Sequence, residues 1–139
     1  MDRLTRRLVL LVALCLPAGA CSSSDTPTTT TSPTPTTFTD TFSGTLNQNG
    51  AGTYPFTVQT AGTVTATLTA IGQDSAPKIG VSLGTWNGTS CQTVIANDGA
   101  TVGAQVIGSV TSAGLLCVRV YDIGNVNDPL TYTVQVVHP

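Results

Sequence analysis

The sequence predicts an all-β protein with a single antiparallel β-sandwich of seven or eight short strands over residues 38–139. Apolar and polar residues alternate through this region, and residues that favour turns separate the alternating runs. No window has the 3.6-residue period of an amphipathic helix, whereas threonine and valine, which suit pleated sheets, are abundant. Roughly a hundred residues of this kind match one sandwich domain and leave no room for a second.

The alternation places one set of side chains in each run on a common face. Phe38, Phe42 and Leu46 share a face of the first run, together with Asp40 and Gly44. The corresponding residues of the six later runs are Tyr54, Phe56 and Val58; Val64, Ala66, Leu68 and Ala70; Ile79, Val81 and Leu83; Val102, Ala104, Val106, Gly108 and Val110; Leu116, Val118 and Val120; and Leu130, Tyr132, Val134 and Val136. Five dipeptides contain a residue that accepts the positive φ of a tight turn: Asn49-Gly50, Ala61-Gly62, Asn87-Gly88, Asp98-Gly99 and Ala113-Gly114.

Residues 1–20 have the three parts of a secretory signal peptide. Three arginines precede an apolar run over 8–16, and the small residues Ala18-Gly19-Ala20 precede Cys21. Nine residues of helix extend roughly 14 Å, less than half of a ~30 Å bilayer core, so this run is too short for a transmembrane anchor. We therefore expect residues 1–20 to be removed.

Cys21 is the predicted lipid-bearing N-terminus of the mature chain. Cys15 leaves with the signal, so lipid on Cys21 leaves an even pair, Cys91 and Cys117, in an oxidising compartment. This predicts a bacterial envelope lipoprotein, and Ser22 resembles the signal for the outer membrane where two membranes exist. The same site fits the ordinary signal peptidase, so secretion without lipid is the alternative. Arg6-Arg7 is compatible with twin-arginine export, although the strongly apolar run favours general secretion.

Residues 21–37 are predicted to be a lipid-anchored linker. From Ser22 to Thr37 the sequence is almost entirely Ser, Thr and Pro and has no large apolar side chain. Such a segment cannot bury enough surface to offset its ordering entropy, so we expect a solvated tether. Sixteen residues at ~3.1 Å each span up to roughly 50 Å, which lets the domain stand clear of the lipid head groups.

The charged and titratable residues argue against two classes of function. Lys78 and Arg119 are the only basic residues after residue 20 and face six aspartates, a side-chain charge of −4 with no basic patch for nucleic acid. The one histidine, His138, is next to Pro139, where we expect the chain to fray and not to orient an imidazole for catalysis. There is no glutamate, and the aspartates are scattered singly. We therefore expect no enzyme activity.

Cys91 and Cys117 are predicted to form a disulfide. They are 26 residues apart, and closing a loop of this size stabilises a fold by about 3–4 kcal/mol in the chain-entropy model. Cys117 alternates with Leu116 and Val118, so it should point away from the apolar face of its strand. The bridge should then lie near the surface, with the segment after Trp86 beside the strand that carries Arg119.

Several segments resemble the bacterial pre-peptidase C-terminal domain. They are TFSGTL at 41–46, YPFTV at 54–58, AGTV at 61–64, CVRVY at 117–121 and YTVQV at 132–136. The resemblance spans about residues 41–137 and implies a jelly-roll-like β-sandwich that serves exported proteins as an accessory or substrate-contacting module without catalysing a reaction. Residues 76–81 depart from the family's Asp-x-Asp-Leu-like segment, which puts in doubt any transfer of calcium sites from related collagen-binding modules.

Two groups of residues are candidate binding sites. Asp122, Asn125, Asn127 and Asp128 bring four oxygen-bearing side chains into one short loop, as a Ca²⁺ site requires, although the same residues form ordinary solvated turns. Trp86 and Tyr121 are candidate platforms for a carbohydrate or peptide; the alternative is that Trp86 caps the core or packs on the disulfide. Ca²⁺ is the one cofactor that these residues suggest.

Together these features predict a non-enzymatic envelope lipoprotein that displays a binding or adhesion module. Its partners would be the membrane, through Cys21, and an envelope or extracellular polymer, either protein or polysaccharide. The alternative is a structural envelope lipoprotein that contributes to an assembly without a ligand of its own.

Overall fold

The computed structural model describes residues 34–72 and 77–139. The predicted signal peptide, Cys21 and the linker up to residue 33 lie outside the described residues. Eight strands follow one another: β1 (Phe38–Leu46), β2 (Ala51–Val58), β3 (Gly62–Ile71), β4 (Ile79–Trp86), β5 (Cys91–Ala100), β6 (Gln105–Val110), β7 (Gly114–Tyr121) and β8 (Leu130–His138). Within the described residues no helix is long and apolar enough to cross a membrane.

The strands form two four-stranded antiparallel sheets packed face to face. The first sheet has the order β1-β8-β3-β6 and the second has the order β2-β7-β4-β5. Every connection between consecutive strands passes from one sheet to the other except the one from β4 to β5, which are neighbours in the second sheet. This is the arrangement of an eight-stranded jelly roll. This confirms the predicted all-β sandwich and its jelly-roll-like form.

The core lies between the sheets and is built from the residues that alternate inward. Seven predicted runs supply nearly all of it, and burial of each Val or Leu side chain contributes about 1.5–3 kcal/mol to stability. The largest fully buried side chains are Tyr132, Leu46, Leu68, Ile79, Leu130, Val58, Val64, Val81, Val118, Val120, Val126 and Val134.

One polar pair is built into the edge of this core. The Tyr54 hydroxyl donates to the Ser43 carbonyl oxygen at 3.1 Å, so the Tyr132 hydroxyl, 2.8 Å away, donates to Tyr54. Gly44 and Gly52 make room for the two hydroxyls, because a Cβ on either glycine would overlap one of them. Burial, followed by this hydrogen bond, raises the pKa of Tyr132 above its ordinary value.

The region around residues 91–110 differs from the sequence prediction. β5 was not among the seven runs, because its residues are mostly exposed and do not alternate. Asp98-Gly99 lies inside this strand, so the turn predicted there is wrong; Thr101–Ala104 forms the turn, with Gly103 at φ 89°. Val102 is consequently an exposed turn residue rather than part of β6.

Two of the predicted turns are confirmed, and one residue predicted to point inward does not. The predicted turns at Asn49-Gly50 and Asn87-Gly88 are confirmed, since Asn49 has φ 55° and Gly88 has φ 96°. Ala70 does not share the inward face of Leu68, because a bulge between these two residues shifts the pairing of β3 with β8 and leaves Ala70 exposed. A bulge adds one residue to a strand and so reverses the faces that follow.

The predicted disulfide between Cys91 and Cys117 is confirmed, with a Cα–Cα distance of 5.8 Å. It lies on the outer face of the second sheet, since Leu116 and Val118 point inward. β4 lies between β5 and β7, so these two strands are not paired, although Cys91 at the start of β5 lies beside Cys117 of β7 as expected. Gly84, which pairs with Cys117, has no side chain, and the backbone of Gln92 in β5 occupies the place that a Cβ there would take.

Candidate functional site

An apolar groove of about 550 Å³ opens at one edge of the sandwich, between β5 of the second sheet and β6 of the first. Leu83, Val94 and Ile95 line one side of it, and Val64, Ile107 and Val110 line the other. Among the described residues, no charged or aromatic side chain lines the groove. Its volume and apolar lining are within the range of small-ligand sites, which makes it the candidate binding site of the domain.

The groove exists because two neighbouring strands leave space at this edge. Gly108 faces inward from β6, opposite Val64 of β3, but offers no side chain to fill the gap. A Cβ there would meet Leu83 at 3.9 Å and Ile95 at 4.0 Å, which are ordinary van der Waals distances. Glycine within a strand often marks a place where a ligand or another backbone approaches closely.

The second cause is an irregularity of β5 at the same level. Leu83 pairs with Ile95 and Gly84 pairs with Thr93, so Val94 is an extra residue without a partner on β4. Its side chain is 76% exposed, and Ile95 and Ile107 beside it are also exposed. Three of the large exposed apolar side chains of the described residues thus lie at one groove, and clustered exposure of this kind marks an interaction surface.

The two aromatic residues proposed as a binding platform do not come together. Tyr121 pairs with Gly80 near one end of β4, whereas Trp86 ends that strand. Six residues at ~3.3 Å each separate these levels by roughly 20 Å. Trp86 is half-buried and pairs with Cys91 of the disulfide. A single platform made by both side chains is therefore excluded by the structure.

Tyr121 is already engaged within the domain. Its ring lies over Gly80, where a Cβ would overlap it, and the Arg119 guanidinium lies 5.0 Å from the ring centroid. Its hydroxyl donates a hydrogen bond to the Asp98 carboxylate. Burial raises the pKa of Tyr121 to about 12; the hydrogen bond and the charge of Asp98 act in the same direction, and Arg119 opposes them. These contacts give Tyr121 a structural role between β7, β4 and β5.

The proposed calcium loop is organised by the Asp122 carboxylate. One of its oxygens accepts hydrogen bonds from the backbone N–H groups of Gly124, Asn125 and Val126, at 2.8–3.1 Å, and the other accepts the N–H of Asn49 at 2.8 Å. Loss of hydration would raise the pKa of Asp122, but these four donors together hold it below its usual value. The carboxylate thus fastens its own loop to the turn between β1 and β2.

The other members of that loop do not converge on Asp122. The Asn125 side-chain amide donates to the Lys78 carbonyl oxygen at 3.1 Å, whereas Asn127 and Asp128 are exposed. Among residues 34–72 and 77–139, no group of three or more His, Cys, Asp or Glu side chains could hold a metal ion. Calcium binding here stays a prediction.

His138 does not fray, so the reason given for expecting no catalytic role is wrong. It ends β8 opposite Phe38, is 4% exposed, and packs between the rings of Phe38 and Phe56. Its Nε2 lies 3.1 Å from the Asp40 carboxylate and its Nδ1 lies 3.4 Å from the Pro139 carbonyl oxygen. Because both ring nitrogens have partners, neither is directed at a nucleophile. The pair joins the buried His138 to the half-buried Asp40.

Sequence reasoning missed the groove because its two causes leave weak signals. The adjacent apolar residues Val94 and Ile95 interrupt a polar segment, and Gly108 stands at an inward position of an apolar run. Their significance depends on β5 and β6 lying at the same edge of the sandwich, which only the strand order establishes.

No model of a known protein family matches this chain, and no similar sequence was found among curated proteins.

Proposed function

We propose that this chain is a non-enzymatic envelope lipoprotein, anchored through Cys21, whose jelly-roll domain binds an extracellular or envelope polymer. The single observation that supports binding is the exposed apolar groove between β5 and β6. The signal peptide, Cys21 and the Ser/Thr/Pro-rich linker support display at a membrane surface. We place the site in the groove rather than at Trp86 or Tyr121, because Tyr121 is engaged within the domain, Trp86 is half-buried, and a cluster of exposed apolar side chains lies at the groove.

The groove is suited to binding rather than to catalysis. The described residues that line it offer apolar walls and the hydroxyl groups of Thr85 and Ser109, and none of them is an acid, base or amine that could transfer a proton or attack a substrate. Apolar surface of this kind gains free energy when a partner excludes water from it. A polymer that extends beyond the groove would add polar contacts at its rim.

An array of immobilised matrix proteins, envelope proteins and glycans tests the proposal. The full chain, solubilised in detergent, is compared with Gly108→Val, whose side chain enters the groove. Gly114→Val is the matched control, because it is also a glycine on a strand but has open space around its Cβ position. We expect at least one polymer to retain the wild type and the control, and Gly108→Val to bind it at least about tenfold more weakly.

Two results would contradict the proposal. Retention of Gly108→Val as strongly as the wild type would move the site away from the groove. No retention on any polymer would favour the alternative, a structural lipoprotein without a ligand of its own. Circular dichroism and thermal unfolding of each variant verify that the fold is intact.

A further inference from the structure

We infer that the groove takes an extended, uncharged peptide segment, which adds as a further strand to the free edge of β6. This inference rests on the proposed function, because it names the chemical class of the polymer and the edge that holds it. Strand addition combines main-chain hydrogen bonds with pockets for alternate side chains. The edge strand β6 and the groove beside it provide both.

The four sheet edges differ in how they resist strand addition. Edge strands are commonly protected by inward-pointing charges, prolines or bulges. β1 carries the half-buried Asp40, β2 carries Pro55, and β5 carries the bulge at Val94. β6 has the sequence QVIGSV and pairs with β3 alone, without a charge, a proline or a pairing irregularity. The one unprotected edge of the described sheets is therefore the edge that borders the groove.

The geometry of β6 also places incoming side chains in the groove. Successive side chains of a strand point to opposite faces, so a strand beside β6 would direct every second side chain inward. There it would meet the space left by Gly108 and the apolar side chains of Leu83 and Ile95. Because Gly108 has no side chain, the added strand can also lie close to the backbone of β6.

The chemistry of the lining selects a peptide among apolar and polymeric ligands. An acyl chain would fill the groove but would make no use of the outward N–H and C=O groups of β6. A glycan would offer hydrogen bonds, but the described lining residues include no aromatic ring on which a sugar could stack. The absence of charge in the lining matches uncharged inward side chains, since burying an unpaired charge there would be costly.

A phage-displayed library of nine-residue segments identifies the probe peptides. The library is selected on the full chain in detergent and counter-selected on Gly108→Val. Enriched peptides are synthesised twice, once unmodified and once with N-methyl groups on alternate residues, which remove backbone donors while keeping every side chain. We expect micromolar binding of the unmodified peptides and at least about tenfold weaker binding of the methylated peptides in one of the two possible registers.

A second variant keeps the test independent of Gly108. Ile107 is exposed on β6, and Ile107→Lys places a charge on the edge without disturbing the core. This variant should lose peptide binding at least about tenfold, whereas Gly114→Val should keep it. Apolar enrichment at alternate positions of the selected peptides is also expected.

Four outcomes would overturn the inference. No enrichment over Gly108→Val, while that variant still loses a polymer on the array, would refute the peptide and leave the proposed function standing. Equal binding of unmodified and methylated peptides would refute strand addition. Concentration-dependent dimerisation of the wild type that Ile107→Lys abolishes would identify a second copy of the chain as the occupant. Loss of array binding together with absence of peptide binding would remove the proposed function as well.

Discussion

At four positions of this domain, a glycine leaves space that any other side chain would fill. Gly44 and Gly52 leave space for the hydroxyl groups of Tyr54 and Tyr132. Gly80 leaves space for the ring of Tyr121, and Gly108 leaves the groove open. The first three create room for a partner inside the domain, and the fourth creates room that nothing in the described domain fills. Glycine weakens a strand, because it has no side chain to pack. At Gly44, Gly52 and Gly80, the close packing of a tyrosine explains why a glycine is present.

Gly52→Ala should destabilise the domain, because the new Cβ would overlap the Tyr132 hydroxyl. Overpacking of this kind costs about 1–3 kcal/mol. Tyr132→Phe removes the hydroxyl and should restore part of the loss, since the ring carbon that remains is 3.2 Å from the Cβ position. Urea unfolding of the two single variants and the double variant measures this coupling. Gly114→Ala is the control, and additive effects of the two changes would contradict the explanation.

The roles of individual polar residues could not be predicted from the sequence. Tyr121 and Asp98 lie 23 residues apart, and His138 and Asp40 lie 98 residues apart, so each pair exists only through strand order. Asp122 lies in the loop that was considered as a Ca²⁺ site or a solvated turn, and its hydrogen-bond partners are backbone N–H groups, three of them in the same loop. The sequence therefore shows which side chains can form hydrogen bonds, but it does not show which partners they have.

The strands with one buried face could be predicted from the sequence, whereas β5, whose residues are mostly exposed, could not. β7 shows clear alternation of Leu116, Val118 and Val120 toward the core. β5 is an edge strand of the second sheet with a bulge, so few of its side chains need to be apolar and no period of two survives. The groove was unpredictable for the same reason, because it depends on this strand. The disulfide was predictable from the cysteine count, once Cys15 was assigned to the signal peptide and Cys21 to the lipid.

The bridge between Cys91 and Cys117 holds that exposed strand to the sheet. β5 pairs only with β4, and the bridge joins it to β7 on the far side. Replacing both residues, as Cys91→Ala with Cys117→Ala, should lower the free energy of unfolding by about 2–5 kcal/mol. Urea unfolding with and without reductant measures the loss in the wild type.

The double variant is also the control for the reductant, which should not affect it further. A thiol assay of the unfolded wild type should detect neither Cys91 nor Cys117 before reduction. Equal unfolding midpoints of the oxidised and reduced wild type would contradict a stabilising role for the bridge.

At the scale of the whole domain, the chain enters at one edge and the groove opens at the other. Phe38 begins β1, and the first sheet has the order β1-β8-β3-β6. Three strand spacings of ~4.8 Å place β6 roughly 14 Å from β1. The start of β1 and the groove therefore lie at opposite edges of the first sheet.

Cys21→Ala should release the protein from the membrane while leaving the groove unchanged. The substitution removes the thiol that accepts lipid, whereas Ala18-Gly19-Ala20 still suits the ordinary signal peptidase. Fractionation should move the variant to the soluble fraction, and mass spectrometry should show a lipid increment on the wild type alone. Ser22→Ala is the control and should stay with the membrane. A wild type that is soluble and has no lipid increment would refute the anchor.

The pairing of β1 with β8 sets the order in which the domain can assemble. Phe38 pairs with His138, so the first strand cannot complete its ladder until the last has emerged. Loop-closure entropy makes such distant pairing slow, and all-β folds of high contact order fold in milliseconds to seconds. A chain that crosses a membrane from its N-terminus would thus remain unpaired at β1 throughout its passage. Under the proposed export, the first sheet would therefore be completed only after β8 had crossed the membrane.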